Sequence, residues 1–331
     1  MLALLAIPLR FSVVIPLIGA LTVAASFGFI ATSASLVGWA VSRNVMNPVY
    51  WVFGIAIVSI DLITSIINQF GRRPMLAVLL AVLWGAYYAR IRFLSAAKGL
   101  AVLACLIIPP FLLLSVYTAV RTQEFREMGA LQIIQELMNP ADMDIVEGIY
   151  DTLAGQTTGA AALWTIENYP EPYARRHLFS LGYLFVANIP RALWPEKPVV
   201  FSGHIAYQAN IQGANVNRAL YVDEGVTLPP GVIAYAEAEG GLYAVIIYAI
   251  FFAVSLRFLQ NLGSLHPHNA FVFGIIGASL GNLTGLARGD ISLFYNMMIL
   301  SMGCSYLALY VFTKVLFPHT SQTPAYQYGH A

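Results

Sequence analysis

Charged residues are scarce in this sequence. They make up 10% of the 331 residues, whereas soluble domains carry roughly 25%. Apolar side chains make up 59% of the chain. So little charge beside so much apolar surface excludes an ordinary soluble domain and is typical of a polytopic membrane protein. Because the charges are few, their positions along the chain are informative.

Cysteines and nucleotide-binding motifs are also lacking. The two cysteines, Cys105 and Cys304, each lie inside a hydrophobic run, which excludes a disulfide framework and a thiolate metal site. The sequence contains no Gly-x4-Gly-Lys loop and no dinucleotide fingerprint, so nothing points to ATP hydrolysis or redox chemistry. The histidines at positions 177, 204, 266 and 268 lack the spacing of metal ligands. The sequence therefore predicts no metal, no cofactor and no nucleic-acid partner.

Seven apolar runs reach or approach the roughly 20 residues that a membrane-crossing helix needs. The sequence therefore predicts an all-α, polytopic transmembrane helix bundle of about seven spans. The runs are 11–31, 49–70, 75–89, 99–120, 232–257, 268–287 and 291–317.

These runs divide the chain into four parts. Residues 1–120 carry the first four predicted helices, and residues 231–317 carry the last three. A long polar loop, 121–230, separates the two groups, and residues 318–331 form a tail.

The charges predict how the bundle is oriented. Residues 90–98 contain Arg90, Arg92 and Lys98 and no acid, whereas residues 121–230 contain twelve of the sixteen acids. Because basic residues concentrate on the cytoplasmic side, we expect 90–98 and the C-terminal tail to lie inside and the long loop to lie outside, in the periplasm. Counting spans places Met1 outside as well, which favours further helices upstream of this sequence.

The long loop contains three predicted elements that do not cross the membrane. Apolar spacing over 123–138 and 141–153 predicts amphipathic helices at the outer surface. The apolar run from 178 to 189 is too short to span and predicts a re-entrant or interfacial helix. It runs into "NIPRALWPEKP", residues 188–198, whose three prolines break helical geometry and predict irregular backbone at the membrane surface.

Several arginines fall on the outer side, where the positive-inside rule does not place them. Arg72 and Arg73 lie in the turn "FGRRP", and Arg288 lies in "LARGD". The others lie in the long loop: Arg121, Arg126, Arg175, Arg176 and Arg191. Arginine binds phosphate through a planar pair of donors, so the set indicates an anionic ligand. The alternative is that these arginines reach to the membrane surface or pair with acids of the loop.

A polar stripe follows the second predicted span. Asp61, Ser65, Asn68 and Arg72 recur at helical spacing and share one face. Because ionisable groups inside a membrane usually face a cavity or a partner, Asp61 and Asn68 predict the wall of a polar cavity. The alternative is hydrogen bonding between helices.

Two acids begin the fifth predicted span. Glu237 and Glu239 are two residues apart and are expected on different helix faces, whereas Gly240 and Gly241 are expected on the same face as Glu237. That face would offer a carboxylate beside bare backbone, which leaves room for a sugar ring or for another helix.

Two stretches carry a family resemblance: "IPRALWPEKP" in the long loop and "LPPGVIAYAEAEGGLYAVII" at the start of the fifth span. "GRRP" and "RGD" at helix junctions agree with it. Over roughly 55–317 the chain resembles the O-antigen polymerases, the oligosaccharide repeat-unit polymerases. The resemblance implies a glycosyltransferase of the bacterial inner membrane, which joins undecaprenyl-pyrophosphate-linked repeat units into O-antigen or a related surface polysaccharide of the lipopolysaccharide type. The alternatives are an O-antigen ligase and a flippase or transporter of lipid-linked sugars.

The resemblance also implies roles for the candidate residues. The leaving lipid pyrophosphate would bind arginines at the outer face, and the acceptor hydroxyl would need a base. For the base, Glu237 and Glu239 are the first choices, followed by His204 and then Asp61. Membrane lipid and the lipid-linked oligosaccharide are the implied partners, and a chain-length regulator protein is a further candidate partner. The implied pyrophosphate-binding residues are Arg191, Arg288, Arg72 and Arg73.

Overall fold

A computed structural model gives the fold, and its described residues are helical, joined by turns and without strands. The all-α prediction is confirmed for them. The predicted fourth span, 99–120, and the amphipathic helices predicted over 123–138 and 141–153 lie almost entirely outside the described residues. Those residues are 2, 4–6, 19–67, 73–98, 100, 104, 108, 115, 146, 149, 158–191, 193–209, 230–286, 289 and 291–316.

Ten α-helices of eight residues or more lie in this described part of the chain. α1 runs to Arg43, well past the predicted end of the first span at residue 31. The helices are α1 (Gly19–Arg43), α2 (Pro48–Ile67), α3 (Arg73–Ala89), α4 (Thr158–Asn168), α5 (Phe179–Val186), α6 (Phe201–Gln208), α7 (Val232–Gly240), α8 (Leu242–Leu265), α9 (Ala270–Leu286) and α10 (Ile291–Val311).

Four helices are long and apolar enough to cross a membrane, among the residues that the structure describes. They are Leu21–Arg43, Pro48–Ser65, Leu242–Leu265 and Ile291–Lys314. Two further apolar helices, Met75–Ala89 and Ala270–Ser279, are shorter. The chain is thus a membrane protein whose described residues form helices joined by turns, and the count of about seven spans remains a prediction.

Helix α1 is the centre of the bundle and packs against α2, α3, α9 and α10. Its small residues permit this. A Cβ atom at Gly38 would lie 2.1 Å from the backbone oxygen of Val82 in α3, and one at Gly85 of α3 would lie 2.0 Å from the backbone oxygen of Ser35. The two backbones therefore touch directly, as small residues allow in membrane helices.

Hydroxyl groups connect α1 to its other neighbours. Thr32 Oγ1 donates to Ser305 Oγ of α10 at 3.0 Å, and Ser35 Oγ donates to the backbone oxygen of Phe273 in α9 at 3.1 Å. Hydrogen bonds between helices satisfy polar groups that lipid cannot. The serines and threonines of α1 therefore hold the bundle together.

The outer faces of the bundle are apolar. Val52 and Phe53 of α2 and Ile250, Val254 and Phe258 of α8 are largely exposed. Residues of α8 are buried along only 17% of its span, compared with 72% for α1. A continuous exposed apolar surface needs a covering, and for helices of this length a lipid bilayer provides it.

The fifth predicted span is not one helix. α7 ends at Gly240, α8 begins at Leu242, and Gly241 lies between them with φ +68°. The Gly241 amide donates to the backbone oxygens of Ala236 and Glu237, which ends α7. Glycine accepts positive φ at little cost, so two glycines in a row allow the break. The predicted continuous helix over 232–257 is therefore broken at Gly241, although Gly241 stays next to Glu237, whose backbone oxygen its amide contacts.

The bundle has two distinct ends. Trp39, near the end of α1, stacks on Phe273 at the start of α9 with ring centroids 5.1 Å apart. At the other end of α9, a Cβ atom at Gly289 would lie 2.6 Å from the Tyr235 ring of α7. The end of α1 and the turn from α8 to α9 thus lie at one end, hereafter the basic end. The opposite end carries α7.

Candidate active site

The segment before α5 docks on the last turn of α7. The amides of Arg176 and Leu178 donate to the backbone oxygens of Ala238 and Glu239 at 3.2 and 3.1 Å. His177 and Leu178 have φ values of 26° and 54°, in the left-handed region. Each such residue costs about 1–2 kcal/mol, so the contacts with α7 must hold this backbone in place. Strained non-glycine backbone of this kind clusters at functional sites.

Arg175 is fixed to Glu237. Its Nη2 donates to the Glu237 carboxylate, and its Nε donates to the Glu237 backbone oxygen at 3.2 Å. The two side chains are 33% and 30% exposed, so the pair opens at the surface. These bonds use two of the five N–H donors of the guanidinium, which leaves donors for an anionic ligand.

Arg176 faces His204. The Arg176 Nη1 atom lies 3.3 Å from His204 Nε2, and because a guanidinium can only donate, Nε2 is the acceptor. Phe179 packs edge-on against the His204 ring, and the Arg176 guanidinium lies over the Phe179 ring at 5.9 Å. A proton on Nε2 would break the bond and place a second positive charge beside Arg176. His204 is therefore badly placed to act as the base.

Glu239 is fully buried. Its carboxylate accepts hydrogen bonds from the Ser180 amide at 3.1 and 3.2 Å, from the Ser180 hydroxyl and from the Tyr248 hydroxyl. Since Ser180 is in α5 and Tyr248 is in α8, Glu239 connects three helices. A substrate hydroxyl has no access to it, in contrast to the partly exposed carboxylate of Glu237.

His177, which lacks the sequence spacing of a metal ligand, is a further ionisable side chain of the site. Its Nδ1 lies 2.6 Å from the Tyr243 hydroxyl, whose oxygen lies 3.3 Å from the Glu239 backbone oxygen. When the tyrosine proton points to Glu239, Nδ1 of His177 must be the donor to Tyr243. The exposed ring then presents Nε2 at the surface. Its place directly after Arg175 and Arg176 is the signal in the sequence that could have identified it.

An aromatic layer positions α6 beneath α7. The Tyr235 hydroxyl accepts a hydrogen bond from the Ser202 amide at 2.9 Å, and the Phe201 ring meets the Tyr235 ring edge-on at 5.1 Å. Tyr169 donates to the Gln208 side chain at 2.5 Å, and burial raises the pKa of Tyr169. These contacts fix α6 at both ends and so fix the ring of His204.

The proline-rich segment 188–198 is irregular, as predicted. Arg191 Nη1 donates to the backbone oxygen of Lys197 at 2.8 Å, and Lys197 Nζ donates to the backbone oxygens of Ala187 and Ile189. Burial, and secondly the charge of Arg191, lower the pKa of Lys197. Both cations thus satisfy carbonyl groups of the segment or of the residue just before it, and Arg191 points toward its own loop.

Two amide side chains attach this segment to the bundle. Asn188 Nδ2 donates to Asn296 Oδ1 at 2.7 Å, and Asn296 Nδ2 donates back to Asn188 Oδ1. Asn296 lies in α10, so a polar pair of the kind that joins membrane helices holds the loop against α10.

The remaining candidates lie elsewhere or are not described. Asp61 is buried in α2, where Ser33 of α1 donates to it at 2.5 Å, so hydrogen bonding between helices accounts for it in part. Its Oδ1 has no partner among the described residues. The side chain of Arg73, the first residue of α3, is not described. The candidate residues Arg72, Asn68 and Arg288 lie outside the described part of the chain.

The arrangement offers a cationic surface at the α7 end of a membrane bundle. Arg175, Arg176 and His177 are consecutive, and each contacts a residue of a different helix: α7, α6 and α8. Within the described residues, no three or more His, Cys, Asp or Glu side chains are grouped as metal ligands. No protein-family model, curated protein or solved structure matches this chain.

Proposed function

We propose that the chain is a multi-pass glycosyltransferase of the bacterial inner membrane. It polymerises undecaprenyl-pyrophosphate-linked oligosaccharide repeat units on the periplasmic side. The observation that carries this proposal is the Arg175–Arg176 pair, which Glu237 and His204 hold beside the start of the lipid-exposed helix α8. A lipid pyrophosphate carries its charge at the membrane surface, next to the end of such a helix, while its hydrocarbon chain stays in the bilayer.

The reaction needs a cationic surface of this kind. The acceptor hydroxyl attacks the anomeric carbon of the donor, and the bond from that carbon to the pyrophosphate oxygen breaks. The pyrophosphate leaves with the electron pair, so negative charge grows on it. Fixed guanidinium groups stabilise that charge. Because the donor is already activated, no nucleotide is required.

The proton of the acceptor hydroxyl goes to a base, and we assign that role to Glu237. Of the candidate bases it has the most exposed carboxylate, whereas Glu239 is fully buried. Proton uptake by Glu237 would weaken its hold on Arg175 at the moment when the leaving pyrophosphate needs that charge. His177, with its exposed ring, is the second candidate.

The basic residues at one end of the bundle support the proposed orientation. Arg43, Arg90, Arg92 and Arg257 lie at the basic end, and none of them forms an ion pair within the described residues. The positive-inside rule favours a cytoplasmic basic end, which supports the proposed periplasmic location of α7 and of the described loop residues 158–191 and 193–209. The proposal includes the sequence-based prediction of about seven membrane-spanning helices.

The experiment is a reconstitution of the purified full chain in proteoliposomes. The substrate is the lipid-linked oligosaccharide extracted from source cells in which the gene has been deleted. We expect a ladder of products that differ by one repeat unit. If wild-type protein in folded, monodisperse form yields no ladder from this substrate, the proposal is wrong.

Two further arms separate the alternative functions. With lipid A–core added as acceptor, a ligase would transfer single units to the core without lengthening the lipid-linked chain. A flippase would move labelled lipid-linked sugar across the vesicle membrane without forming a glycosidic bond. Either result in place of the ladder would reassign the protein.

A further inference from the structure

A cleft of about 490 Å³ opens at the basic end of the bundle, far from the candidate active site. It is lined by the turn from α1 to α2, residues 43–48, and by Arg90 directly after α3. Arg43 is the last residue of α1 and Arg90 follows the end of α3, and both line the same cleft.

The turn that forms the cleft is built without help from its arginines. Asn44 Nδ2 donates to the backbone oxygen of Ala40 at 2.9 Å, and the Asn47 side chain accepts from the Val49 amide at 3.0 Å. The indole of Trp51 donates to the backbone oxygen of Val45 at 2.9 Å. These bonds fix the backbone of the turn that forms one wall of the cleft.

Neither arginine has a counter-charge in the described part of the chain. Both side chains are exposed, and neither donates a hydrogen bond or forms an ion pair there. The only acid among the first 120 residues is Asp61, which is buried in α2 against Ser33. Other arginines of this end have partners: the Arg92 guanidinium lies 4.5 Å from the centre of the Phe93 ring, and Arg257 donates to Gln260.

The surroundings of the cleft are those of a membrane surface. Trp51 and Tyr50, at the start of α2, are 41% exposed, as aromatic side chains are at the level of lipid headgroups. Val52 and Phe53 follow on α2 and are more than 60% exposed, so an apolar surface continues from the cleft toward the bilayer.

We propose that this cleft binds the phosphate of an anionic phospholipid, with the acyl chains along the exposed face of α2. Two guanidinium groups can share one phosphate through paired donors. The first amides of α2 add to the attraction, whereas the terminal carbonyls of α1 and α3 oppose it, so the arginines must dominate the binding. Basic pockets between membrane helices on the cytoplasmic side bind lipid headgroups in this way.

The test uses the purified full chain in nanodiscs of phosphatidylcholine with increasing phosphatidylglycerol, and native mass spectrometry counts the retained lipids. We expect wild type to retain phosphatidylglycerol in preference to phosphatidylcholine. Arg43→Gln with Arg90→Gln should weaken this binding by about fivefold for each arginine removed. Arg257→Gln, which removes an exposed charge at the same end, is the matched control and should bind as wild type does.

Three results would overturn the inference. Equal retention of the two lipids by wild type would show that the cleft does not distinguish an anionic from a zwitterionic headgroup. Unchanged phosphatidylglycerol binding by the double glutamine variant would show that these arginines do not form the site. Displacement of phosphatidylglycerol by millimolar inorganic phosphate would make it a site for free phosphate. If the glutamine variant does not fold, Arg43→Lys with Arg90→Lys decides: weaker binding supports paired contacts, and wild-type affinity contradicts them.

Discussion

Arg175 donates hydrogen bonds to two groups of the same residue, the side-chain carboxylate and the backbone oxygen of Glu237. The backbone bond ties the guanidinium to the last turn of α7. Gly241 packs against it from the other side: a Cβ atom there would lie 3.0 Å from Arg175 Nη2. The position of this cation is therefore set by the break between α7 and α8.

The first prediction concerns the charge of Arg175. Arg175→Ala should slow polymerisation by about a hundred- to a thousandfold, because it removes a fixed donor to the leaving pyrophosphate. Arg175→Lys should recover only part of the rate, because lysine lacks the paired donors. Initial rates of ladder formation in proteoliposomes measure both. Arg257→Ala, at the opposite end, serves as control, and a normal rate for Arg175→Ala would contradict the proposed role.

The second prediction separates the two candidate bases. Glu237→Gln keeps a hydrogen-bond acceptor for Arg175 but takes up no proton. We expect this variant to bind lipid-linked donor and to form no polymer, while His177→Gln remains active. Donor binding by mass spectrometry and polymer length on a gel are measured on the same preparation. An inactive His177→Gln beside an active Glu237→Gln would transfer the role to His177.

The third prediction concerns stability and Glu239. Glu239→Ala leaves the Ser180 amide and two hydroxyl groups without their acceptor in a buried site. Because each buried unsatisfied group costs about 1–3 kcal/mol, we expect a loss of about 3 kcal/mol or more in the free energy of unfolding. Thermal unfolding in detergent, followed by circular dichroism, measures the change. Tyr248→Phe removes one donor and should cost about 1 kcal/mol, so equal losses in the two variants would argue against this account.

The fourth prediction concerns the helix break. Gly241 has φ +68° and ψ −141°, a conformation almost confined to glycine, and Gly241→Ala also places a Cβ atom against the Arg175 guanidinium. We expect a loss of about 1–3 kcal/mol in stability together with slower polymerisation, because the cation is displaced. In Gly182→Ala the new Cβ meets nothing within 4 Å on helix α5, so this control should be neutral or slightly stabilising. Normal activity in Gly241→Ala would show that Arg175 needs no fixed position.

The fifth prediction is the orientation of the chain. With both native cysteines replaced, Gly159→Cys in α4 should react with an impermeant thiol reagent in intact spheroplasts, and Ser95→Cys after α3 should not. The positive-inside rule gives this result from the acid-free segment 90–98. A permeable reagent that labels both variants is the control. Labelling only at position 95 would reverse the topology and remove the periplasmic site.

The sequence predicts some local features well and misses contacts between distant segments. The irregular backbone of 188–198 was predictable because Pro190, Pro195 and Pro198 each lack a donor. The break at Gly241 is harder to predict, because apolar residues on its C-terminal side favour a long span and only the Gly240-Gly241 pair signals a turn. The partner of Arg191 was missed for a related reason. The prolines leave some backbone carbonyl groups without an amide donor, and spacing along the chain does not show which of these carbonyls Arg191 will contact.

The pairs of the site are the hardest to predict. Arg175 and Glu237 are 62 residues apart, and Arg176 and His204 are 28 apart. Judged by residue type alone, many acidic residues of the loop could form the ion pair with Arg175. The strained segment at His177 and Leu178 docks on α7 and so selects Glu237 as the partner. This docking uses backbone hydrogen bonds, which do not depend on residue type and therefore leave no pattern in the sequence.

The direct contact between α1 and α3 restricts how this protein can change over evolutionary time. Gly38 and Gly85 each face the other helix's backbone, so added volume at either position separates the helices. In homologous chains the two positions should therefore vary together. A larger residue at one of them should appear only where α1 and α3 cross at a greater distance. Covariation at this pair would then report the contact between α1 and α3 in other members of the lineage.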